Sequence, residues 1–461
     1  MHENSFPTDL EVVRRHFHSG ATLPYRARRD VLRALKRALK DNEEALLAAL
    51  QADMRKPRFE AYMAEIGQVH AELDHALRNL QAWMEPQGVP NNLSLWPATG
   101  AVYPRPLGVV LLIAPWNYPA VLALVPLIGA VAAGNCAVLK PSEEAPQTAK
   151  VLERIIGQAF AKEHVMVVQG IGSEVVPPLI DSFHFDHIFF TGSVPVGRSI
   201  LAQAAKQLVP VTLELGGKSP AIVDRRVDLE RAVRRIAWSK FFNAGQTCIA
   251  TDYALVHTEV MGPFLEAMAK QVEVFYGKEP QRSPDYARLV NDKHFNRVKR
   301  FLSDGTVRVG GQHDAAERYI APTVLTDVPL DSPVMREEIF GPVLPVIPWN
   351  TVEEAEAIIR RNPTPLALYV FSKDRRVQRH FTERIAFGGG CINHCMLHFG
   401  DVNLPFGGVG NSGMGRYHGK ASFDLFTHHQ SIVKAGGLPE PGVQYPPYTG
   451  WKEKVLRMVL G

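Results

Sequence analysis

The first 86 residues carry apolar side chains at three- and four-residue intervals, which is the spacing of one helix face. We predict three helices here and expect the last of them to end before Pro86. Asp41 and Glu44 have the spacing of a capping box that would open the second helix. The Pro/Asn-rich passage 88–106 predicts a projecting hairpin. The periodic positions are Val31, Leu32, Leu35, Ala38 and Leu39, then Leu46, Leu47 and Leu50, then Tyr62, Ile66, Val69, Leu73, Leu77 and Leu80.

From residue 107 onward, short apolar runs alternate with helical patterns. Such alternation predicts parallel sheets with helices on both faces, so we expect an α/β fold with two lobes. The clearest helices are predicted over 121–133 and 198–207. The predicted strands are 109–113, 137–139, 165–168, 187–190 and 211–213 in the first lobe, and 221–223, 253–256, 344–347 and 366–371 in the second.

One stretch, 106–139, contains no charged residue and exceeds the roughly 20 residues that a membrane-spanning helix needs. However, Pro115, Asn117, Pro119 and Pro126 interrupt it. Strands of a parallel sheet are apolar on both faces, so a buried strand–helix–strand unit produces the same pattern. We favour the buried unit because of the length and the breaking residues.

Composition narrows the function class without naming it. The chain has 461 residues, 46% hydrophobic and 21% charged, with a formal charge of +4. Its basic residues are mixed with acidic ones, so we expect no nucleic-acid partner. The N-terminus lacks the basic-then-apolar pattern of a secretory signal.

Four cysteines in this length are too few for a disulfide scaffold, so we expect a reducing, cytoplasmic location. Cys391 and Cys395, with His394 and His398 nearby, raise the question of a zinc site. No second cysteine pair exists to complete the four ligands that structural zinc prefers, so we expect no metal.

Two strand ends have the residues of a nucleotide site. Gly192 and Ser193 follow a predicted strand, and Gly197 lies in the helical run after them, where phosphates meet helix N-termini. An ordinary strand-to-helix turn would read the same way. Lys140 and Glu143 close another strand and could bind ribose hydroxyls; the alternative is a solvated charge pair.

Two further residues could carry covalent chemistry. Cys248 follows Gly245 and small neighbours that leave room for a substrate, although a reactive thiolate needs surroundings that lower its pKa. A buried structural cysteine is the alternative. Glu214 ends an apolar strand ahead of Gly216 and Gly217, where a general base could lie; a helix cap or salt bridge is its alternative.

Six short motifs occur in order along the chain: Pro115-Trp116-Asn117-Tyr118-Pro119, Lys140-Pro141-Ser142-Glu143, Phe190-Thr191-Gly192-Ser193, Glu214-Leu215-Gly216-Gly217-Lys218, Gln246-Thr247-Cys248 and Glu337-Glu338-Ile339-Phe340-Gly341-Pro342. Together they resemble the aldehyde dehydrogenase superfamily across nearly the whole length. Two later motifs, Pro405-Phe406-Gly407-Gly408 and Asn411-Ser412-Gly413-Met414-Gly415, are similar to the class 3 branch, the fatty and aromatic aldehyde dehydrogenases.

The resemblance implies an aldehyde dehydrogenase-like α/β fold in three parts. A Rossmann-type NAD(P)-binding domain would take 1–86 and 107–212, and an α/β catalytic domain 213–404. A small bridging and oligomerisation region would combine 87–106 with 405–461. Because the bridging strands usually build a dimer in this family, we expect a homodimer.

The resemblance also implies a role for each motif residue. Cys248 would attack the aldehyde and pass through a thiohemiacetal to a thioester, with Asn117 and the Cys248 N–H stabilising the oxyanion. Glu214 would activate water and could help to deprotonate Cys248. Lys140 and Glu143 would bind the adenosine ribose and Ser193 the diphosphate. Glu338 would bind the nicotinamide ribose, and Phe340 would pack near the nicotinamide.

Several points stay open in the sequence. Glu143 disfavours a 2′-phosphate, but class 3 relatives often accept both cofactors, so NAD or NADP is expected. His394 stands where relatives of this branch usually have Asp, in a segment that borders the aldehyde pocket in the family. The branch itself favours aromatic or medium-to-long aliphatic aldehydes. The tail 451–460 could form an amphipathic helix that contacts a membrane surface, caps the substrate entrance or packs on a dimer. Rival functions are a CoA-acylating dehydrogenase and a catalytically retired binding protein.

Overall fold

The N-terminal periodicity folds as helices, as predicted. The computed structural model of the chain describes residues 6–92, 95, 97–435, 437 and 442–460. The helices are α1 Phe6–His18, α2 Tyr25–Asp41, α3 Glu43–Met54, α4 Arg58–Ala61, α5 Gly67–Met84, α6 Val121–Ala133, α7 Pro146–Ala159, α8 Gly172–Ser182, α9 Val194–Ala205, α10 Leu229–Phe241, α11 Met261–Tyr276, α12 Asp292–Arg300, α13 Pro333–Arg336, α14 Val352–Ile359, α15 Arg375–Arg384, α16 Leu397–Gly400, α17 Gly419–Leu425 and α18 Gly450–Leu460, with a π-helix at Tyr62–Ile66 between α4 and α5.

The predicted capping box at the second periodic run is wrong. Asp41 is still the last residue of α2, and Asn42 is the N-cap of α3. The Asn42 side chain makes no cap hydrogen bond; its Nδ2 donates to the Ala38 carbonyl of the preceding helix at 2.8 Å. Only Asn42 separates the two helices, so Asp41 is still helical and cannot serve as the N-cap of α3.

The strands form three main sheets and one two-stranded ribbon. They are β1 Gln87–Val89, β2 Thr99–Pro106, β3 Val109–Ile113, β4 Cys136–Lys140, β5 Val165–Val167, β6 His187–Thr191, β7 Val211–Glu214, β8 Pro220–Val223, β9 Tyr253–His257, β10 Thr306–Val309, β11 His313–Asp314, β12 Tyr319–Ile320, β13 Thr323–Thr326, β14 Val343–Trp349, β15 Ala367–Phe371, β16 Gly389–Ile392, β17 Gly413–Met414 and β18 Thr427–Lys434. All nine strands predicted from the sequence are present, within a few residues of their predicted ends.

The first sheet has the order β17-β7-β6-β3-β4-β5 and is parallel apart from β17. Its strands β3, β4 and β6 are buried along their whole length, which explains their continuous apolar runs. The charge-free stretch is β3, α6 and β4, as predicted. The strand order reverses between β3 and β6, and ligands of open α/β sheets bind at the carboxyl end of such a switch point.

The second sheet has the order β10-β13-β14-β9-β8-β15-β16, with only the β10–β13 pair antiparallel. The fold is therefore α/β with two parallel-sheet lobes, as the sequence predicts. No helix in the described part of the chain is both long and apolar enough to cross a membrane.

The third sheet joins β1, β2 and β18 in that order. The predicted hairpin is the antiparallel β1–β2 pair, and its connection includes residues 93, 94 and 96, which lie outside the described residues. Strand β18 pairs with β2 over the eight residues from Thr427 to Lys434. The 405–461 segment supplies β17 to the first sheet and β18 to the third, so the domain boundaries given above stay a prediction.

Candidate active site

Loops at the carboxyl ends of β3, β6 and β7 enclose a cavity of about 610 Å³ with segments of the second lobe. Seven of the ten residues singled out from the sequence line it: Asn117, Gly192, Ser193, Glu214, Cys248, Glu338 and Phe340. The fold therefore gathers residues that are up to 223 positions apart in sequence, from Asn117 to Phe340, around one space.

Cys248 follows a turn of unusual backbone conformation. Asn243, Ala244 and Gly245 have φ values of 51°, 50° and 75°, all in the left-handed region. Gly245 is required there, because a Cβ would overlap the carbonyl oxygen of Gly341. Buried Gln246 fixes the turn by donating to the Asn243 carbonyl at 3.0 Å. Strain of this kind is characteristic of functional sites.

The electrostatic surroundings of Cys248 differ from what a permanent thiolate needs. Part of its surface faces the cavity, yet it lies deep in the protein, and this burial raises the pKa of the thiol to about 12. The charges of Glu338 and Glu214 raise it further. The thiol is therefore neutral in this state, and a base or a compensating positive charge has to form the thiolate.

Glu214 ends β7 with its carboxyl group buried and facing the cavity. Neither of its oxygens has a hydrogen-bond partner among the described residues. Burial raises the pKa of Glu214 well above the ordinary value. Neither a helix cap nor a salt bridge engages this carboxylate, in contrast to the alternatives that the sequence allowed. An unpartnered buried carboxyl group is suited to exchanging a proton with a ligand.

Asn117 lies buried in the loop between β3 and α6. Its Nδ2 donates to the carbonyl oxygen of Gln246 at 3.1 Å, which places the amide beside the Cys248 segment. An amide nitrogen carries two N–H groups, so a second donor remains for a ligand. The Asn117 carbonyl oxygen accepts from Asn243 Nδ2 at 3.0 Å and from Lys56 Nζ at 2.9 Å.

The opposite end of the cavity lies at the N-terminus of α9. Ser193 is the N-cap, and its side chain makes no cap hydrogen bond. The helix has twelve residues, and the free backbone N–H groups at its N-terminus attract phosphate. Gly197 is not among the lining residues. A Cβ there would lie 2.8 Å from Leu215 Cδ2, so the glycine lets α9 pack closely on the residue that follows β7.

Glu338 and Phe340 approach from the second lobe. Burial, followed by the charge of Asp252, raises the pKa of Glu338 to about 8. Phe340 has a φ of 46° and meets Trp116 edge-on with ring centroids 5.4 Å apart. A buried Lys218–Asp252 ion pair holds this segment: Lys218 donates to the Glu337 carbonyl, and Asp252 accepts from the Ile339 N–H at 3.0 Å.

Lys140 and Glu143 lie together at the end of β4, outside the residues that line the cavity. They form an ion pair with each other. Glu143 Oε1 also accepts from the Gly172 N–H at 2.7 Å, at the start of α8. The pair is therefore more than a solvated charge pair, and it lies one strand away from the switch point.

Sequence reasoning missed several residues of the cavity wall, among them His294 and Arg297. The His294 ring packs at a tilt against Trp116, with ring centroids 4.9 Å apart. Arg297 donates to the carbonyl oxygens of Glu338 and Ile339 at 3.0 and 2.7 Å. Both lie on α12, whose many basic residues are typical of a solvent-exposed helix face and so did not indicate a site.

A second, apolar pocket of about 170 Å³ meets the first at Cys248 and Leu122. His394 is not among its lining residues: its Nδ1 accepts from the Cys395 N–H at 2.9 Å. The side chain at position 394, where this chain has His in place of the Asp of its relatives, therefore lies behind the pocket wall. The other lining residues are Met63, Ala64, Gln68, Tyr118, Trp238, Phe242, Thr247, Ile249, Met396, Leu397, Phe399 and Gly400.

The cysteines at 391 and 395 belong to different surroundings. Cys391 Sγ lies 3.5 Å from His398 Nδ1, whereas buried Cys395 contacts Thr251 Oγ1 at 3.7 Å. Within the described ranges, no group of three or more His, Cys, Asp or Glu side chains is arranged to hold a metal ion.

The larger cavity fits a dinucleotide by the chemistry of its walls. A helix N-terminus at Ser193 offers free donors for a diphosphate, and Glu338 offers a carboxylate for ribose hydroxyls. A Cβ on Gly216 would overlap the Glu338 carboxylate, so the glycine keeps this wall open. Phe340 and Trp116 provide flat apolar surfaces beside Cys248.

Comparison with known proteins agrees with this geometry. The aldehyde dehydrogenase family model matches residues 8–432. Aldehyde dehydrogenase family 3 member B2 of Mus musculus is 45% identical over 454 residues, which cover 98% of this chain and 94% of that protein. The substrate-bound state of Staphylococcus aureus AldH has a TM-score of 0.96 at 43% identity, covering 98% of this chain and 99% of that one.

A third similar protein is an indole-3-acetaldehyde dehydrogenase solved in complex with NAD+. Its TM-score is 0.86 at 28% identity, and the match covers 94% of this chain and 89% of that chain. Because the family model spans most of the chain and the relatives match nearly all of it, this protein belongs to the aldehyde dehydrogenase family, in the class 3-like branch, and is an NAD(P)-dependent oxidoreductase.

Proposed function

We propose that the protein oxidises aldehydes to carboxylic acids with NAD or NADP, through a thioester on Cys248. The observation that carries this proposal is that Cys248 lines both the dinucleotide-sized cavity and the apolar pocket. A nucleophile at that junction can hold the substrate in one pocket against a hydride acceptor in the other. The relative that was solved with NAD+ supports the same cofactor here.

The reaction follows from the side chains around the junction. The Cys248 thiol gives up its proton to solvent, a step that the Glu214 carboxylate assists by relaying the proton, and the sulfur adds to the aldehyde carbon. The Asn117 amide and the Cys248 N–H donate to the resulting oxyanion of the thiohemiacetal. The bound nicotinamide supplies the acceptor for the hydride that leaves this carbon. Glu214 then takes a proton from water, which attacks the thioester and releases the carboxylic acid and the thiol.

The cofactor would be held by residues from both lobes. Ser193 and the α9 N-terminus would bind the diphosphate, and Glu338 the nicotinamide ribose. Lys140 and Glu143 would bind the adenosine ribose, after Glu143 exchanges its present partners for ribose hydroxyls. Phe340 would pack near the nicotinamide.

We propose aromatic or medium-to-long aliphatic aldehydes as the substrate class. The apolar pocket is lined by Met, Leu, Phe and Trp side chains, with Gln68 as the one long polar side chain among its described lining residues. Burying the apolar surface of a substrate against such walls contributes about 25 cal/mol per Å² to binding, whereas a polar chain would find few hydrogen-bond partners there. Turnover should therefore favour longer alkyl or aryl aldehydes over acetaldehyde.

The test compares the native chain with Cys248→Ala by following reduced cofactor formation with a panel of aldehydes, offering NAD and NADP separately. Activity that is present in the native chain and absent in the variant supports the thioester route. A native chain that binds cofactor and oxidises no aldehyde would contradict the proposal. Adding coenzyme A distinguishes the acylating rival, against which the water-activating position of Glu214 argues.

Assembly and location are proposals of their own. We propose a homodimer built through the third sheet, because β18 is an edge strand whose residues 428–434 are exposed, Ile432 and Val433 included. Light scattering that gives the mass of one chain would contradict it. We also propose a reducing, cytoplasmic location, which suits four free cysteines.

We further propose that α18 makes a peripheral contact with a membrane surface. None of its residues is buried, and Trp451, Met458 and Leu460 expose more than half of their surface. Three basic residues, Lys452, Lys454 and Arg457, accompany one acidic residue on this helix. Apolar side chains with a basic polar face suit an anionic lipid interface.

A further inference from the structure

A buried ion pair lies behind the loop that carries Asn117. Lys56 and Glu65 form a salt bridge in which both side chains have 0% exposure. Lys56 lies between α3 and α4, and Glu65 belongs to the π-helix. Neither side chain lines the cofactor cavity or the apolar pocket. Burying two charges is costly unless further hydrogen bonds compensate, so the other partners of the pair are informative.

Each member of the pair holds the backbone of the Asn117 loop. Lys56 Nζ donates to the carbonyl oxygen of Asn117 at 2.9 Å. Glu65 Oε2 accepts from the N–H of Ala120 at 2.8 Å, at the start of α6. Lys56 Nζ also lies 4.2 Å from the centroid of the Tyr118 ring. The ion pair thus fixes the loop on both sides of Tyr118.

The same loop is bonded to the segment that carries the nucleophile. The Tyr118 hydroxyl lies 2.6 Å from Thr247 Oγ1, one residue before Cys248. The Asn117 amide donates to the Gln246 carbonyl. The π-helix places Glu65 next to Met63 and Ala64, which line the apolar pocket. A displacement of the pair would therefore reach the oxyanion donor and the nucleophile together.

We propose that Lys56 and Glu65 are positioning residues for aldehyde oxidation: they set the Asn117 backbone so that its amide meets the oxyanion formed when Cys248 adds. The inference rests on the proposed function. Preorganised donors act only at the correct distance, and a misplacement of about 1 Å can cost about 100-fold in rate.

The Lys218–Asp252 pair provides a matched control. It is also buried, with side-chain exposures of 3% and 5%, and it also binds backbone, through Glu337 and Ile339. That backbone carries Glu338, on the cofactor side. If buried pairs acted only through stability, disrupting either one would have the same kinetic effect.

The experiment replaces each pair with apolar residues, Lys56→Met/Glu65→Leu and Lys218→Met/Asp252→Leu, since removing both charges avoids leaving one buried and unpaired. For the first variant we expect kcat to fall about 10- to 100-fold, with the cofactor KM within about twofold of native. For the second we expect mainly a raised cofactor KM. In an Asn117→Ala background, the first replacement should cost less than about threefold, because the amide it positions is absent.

A folded Lys56→Met/Glu65→Leu variant with native kcat, or one whose loss is undiminished in the Asn117→Ala background, would overturn the inference. If the apolar pair does not fold by circular dichroism, Glu65→Gln is compared with Asp252→Asn under the same criteria, because both keep an acceptor oxygen. A native chain without turnover on any aldehyde removes the proposed function, and this inference with it. Native turnover together with an unaffected variant removes the inference alone.

Discussion

Gly216 and Glu338 share one space: a Cβ on the glycine would overlap both carboxylate oxygens of the glutamate. The glycine belongs to the loop after β7, and the glutamate approaches from the second lobe. The absence of a side chain at position 216 therefore sets where the Glu338 carboxylate lies, and with it the part of the cavity assigned to the nicotinamide ribose.

Gly216→Ala should raise the cofactor KM about tenfold with a small effect on stability. The atoms that it meets are the end of a flexible side chain, which can move aside and thereby leave the ribose site. Steady-state kinetics with cofactor varied at saturating aldehyde measures this. Gly157→Ala is the control, because a Cβ there meets no atom within 4 Å and the glycine lies in α7. An unchanged cofactor KM would contradict the role given to Glu338.

Glu214→Gln should separate the two halves of the reaction. The amide is nearly isosteric but cannot take a proton from water, so we expect a burst of about one reduced cofactor per active site, followed by turnover slowed at least 100-fold. Rapid mixing and mass spectrometry of the acylated Cys248 measure both. A variant without a burst would instead show that Glu214 is needed to form the thiolate.

The hydrolysis step should also depend on pH in one direction. Burial raises the pKa of Glu214, so the carboxyl group is protonated at low pH and becomes a base only as pH rises through that raised value. The rate of thioester hydrolysis should therefore increase with pH and then level off. In Glu214→Gln this rise should be absent. A native rate that falls as pH increases would contradict the assignment.

The sequence predicted the strands well because β3, β4 and β6 are apolar on both faces and bounded by turn residues. The cavity residues could be named from the motifs that resemble a family, since these motifs follow strand ends. Lys56 and Glu65 could not be found in this way. Their partners at Asn117 and Ala120 are more than 50 residues distant, so no local spacing in the sequence links them.

Local chemistry was the other limit. Besides burial, the charges of Glu338 and Glu214 raise the pKa of Cys248. The motifs assign these two carboxylates to cofactor binding and to water activation, and their closeness to Cys248 exists only in the folded chain. The predicted capping box was wrong because Asp41 is the last residue of α2 and therefore cannot begin α3. His394 signals an altered pocket in sequence, yet the fold turns it toward the Cys395 backbone.

Alkylation of Cys248 in the cofactor-free protein should become faster with increasing pH. A thiol whose pKa is raised to about 12 is almost fully protonated at neutral pH, and its thiolate fraction grows about tenfold per pH unit below that value. Mass spectrometry of the Cys248 peptide after iodoacetamide treatment measures the rate. Glu338→Gln removes a charge that raises this pKa and should speed the reaction. A rate that is independent of pH between 7 and 9, roughly, would mean a thiolate already present.

Gly245→Ala should destabilise the protein by about 2–5 kcal/mol, from a left-handed backbone that an alanine disfavours and from overlap with the Gly341 carbonyl. Unlike the Gly216 case, the obstructing atom is backbone and cannot rotate away. Chemical denaturation measures the free energy of unfolding. Gly262→Ala in α11, where a Cβ meets nothing within 4 Å, is the control and should match the native chain within about 1 kcal/mol.

Removing residues 450–461 should abolish binding to anionic vesicles while leaving oxidation of a short, water-soluble aldehyde unchanged, because α18 has no buried residue in the fold. Cosedimentation with vesicles of anionic and of zwitterionic lipid measures the contact. Trp451→Ala should weaken it through lost apolar area, and Lys454→Glu through lost attraction to the anionic surface. Equal binding of the native and truncated chains would remove the membrane proposal. If the truncation instead changed turnover of long-chain aldehydes in the absence of vesicles, the tail would cap the substrate entrance.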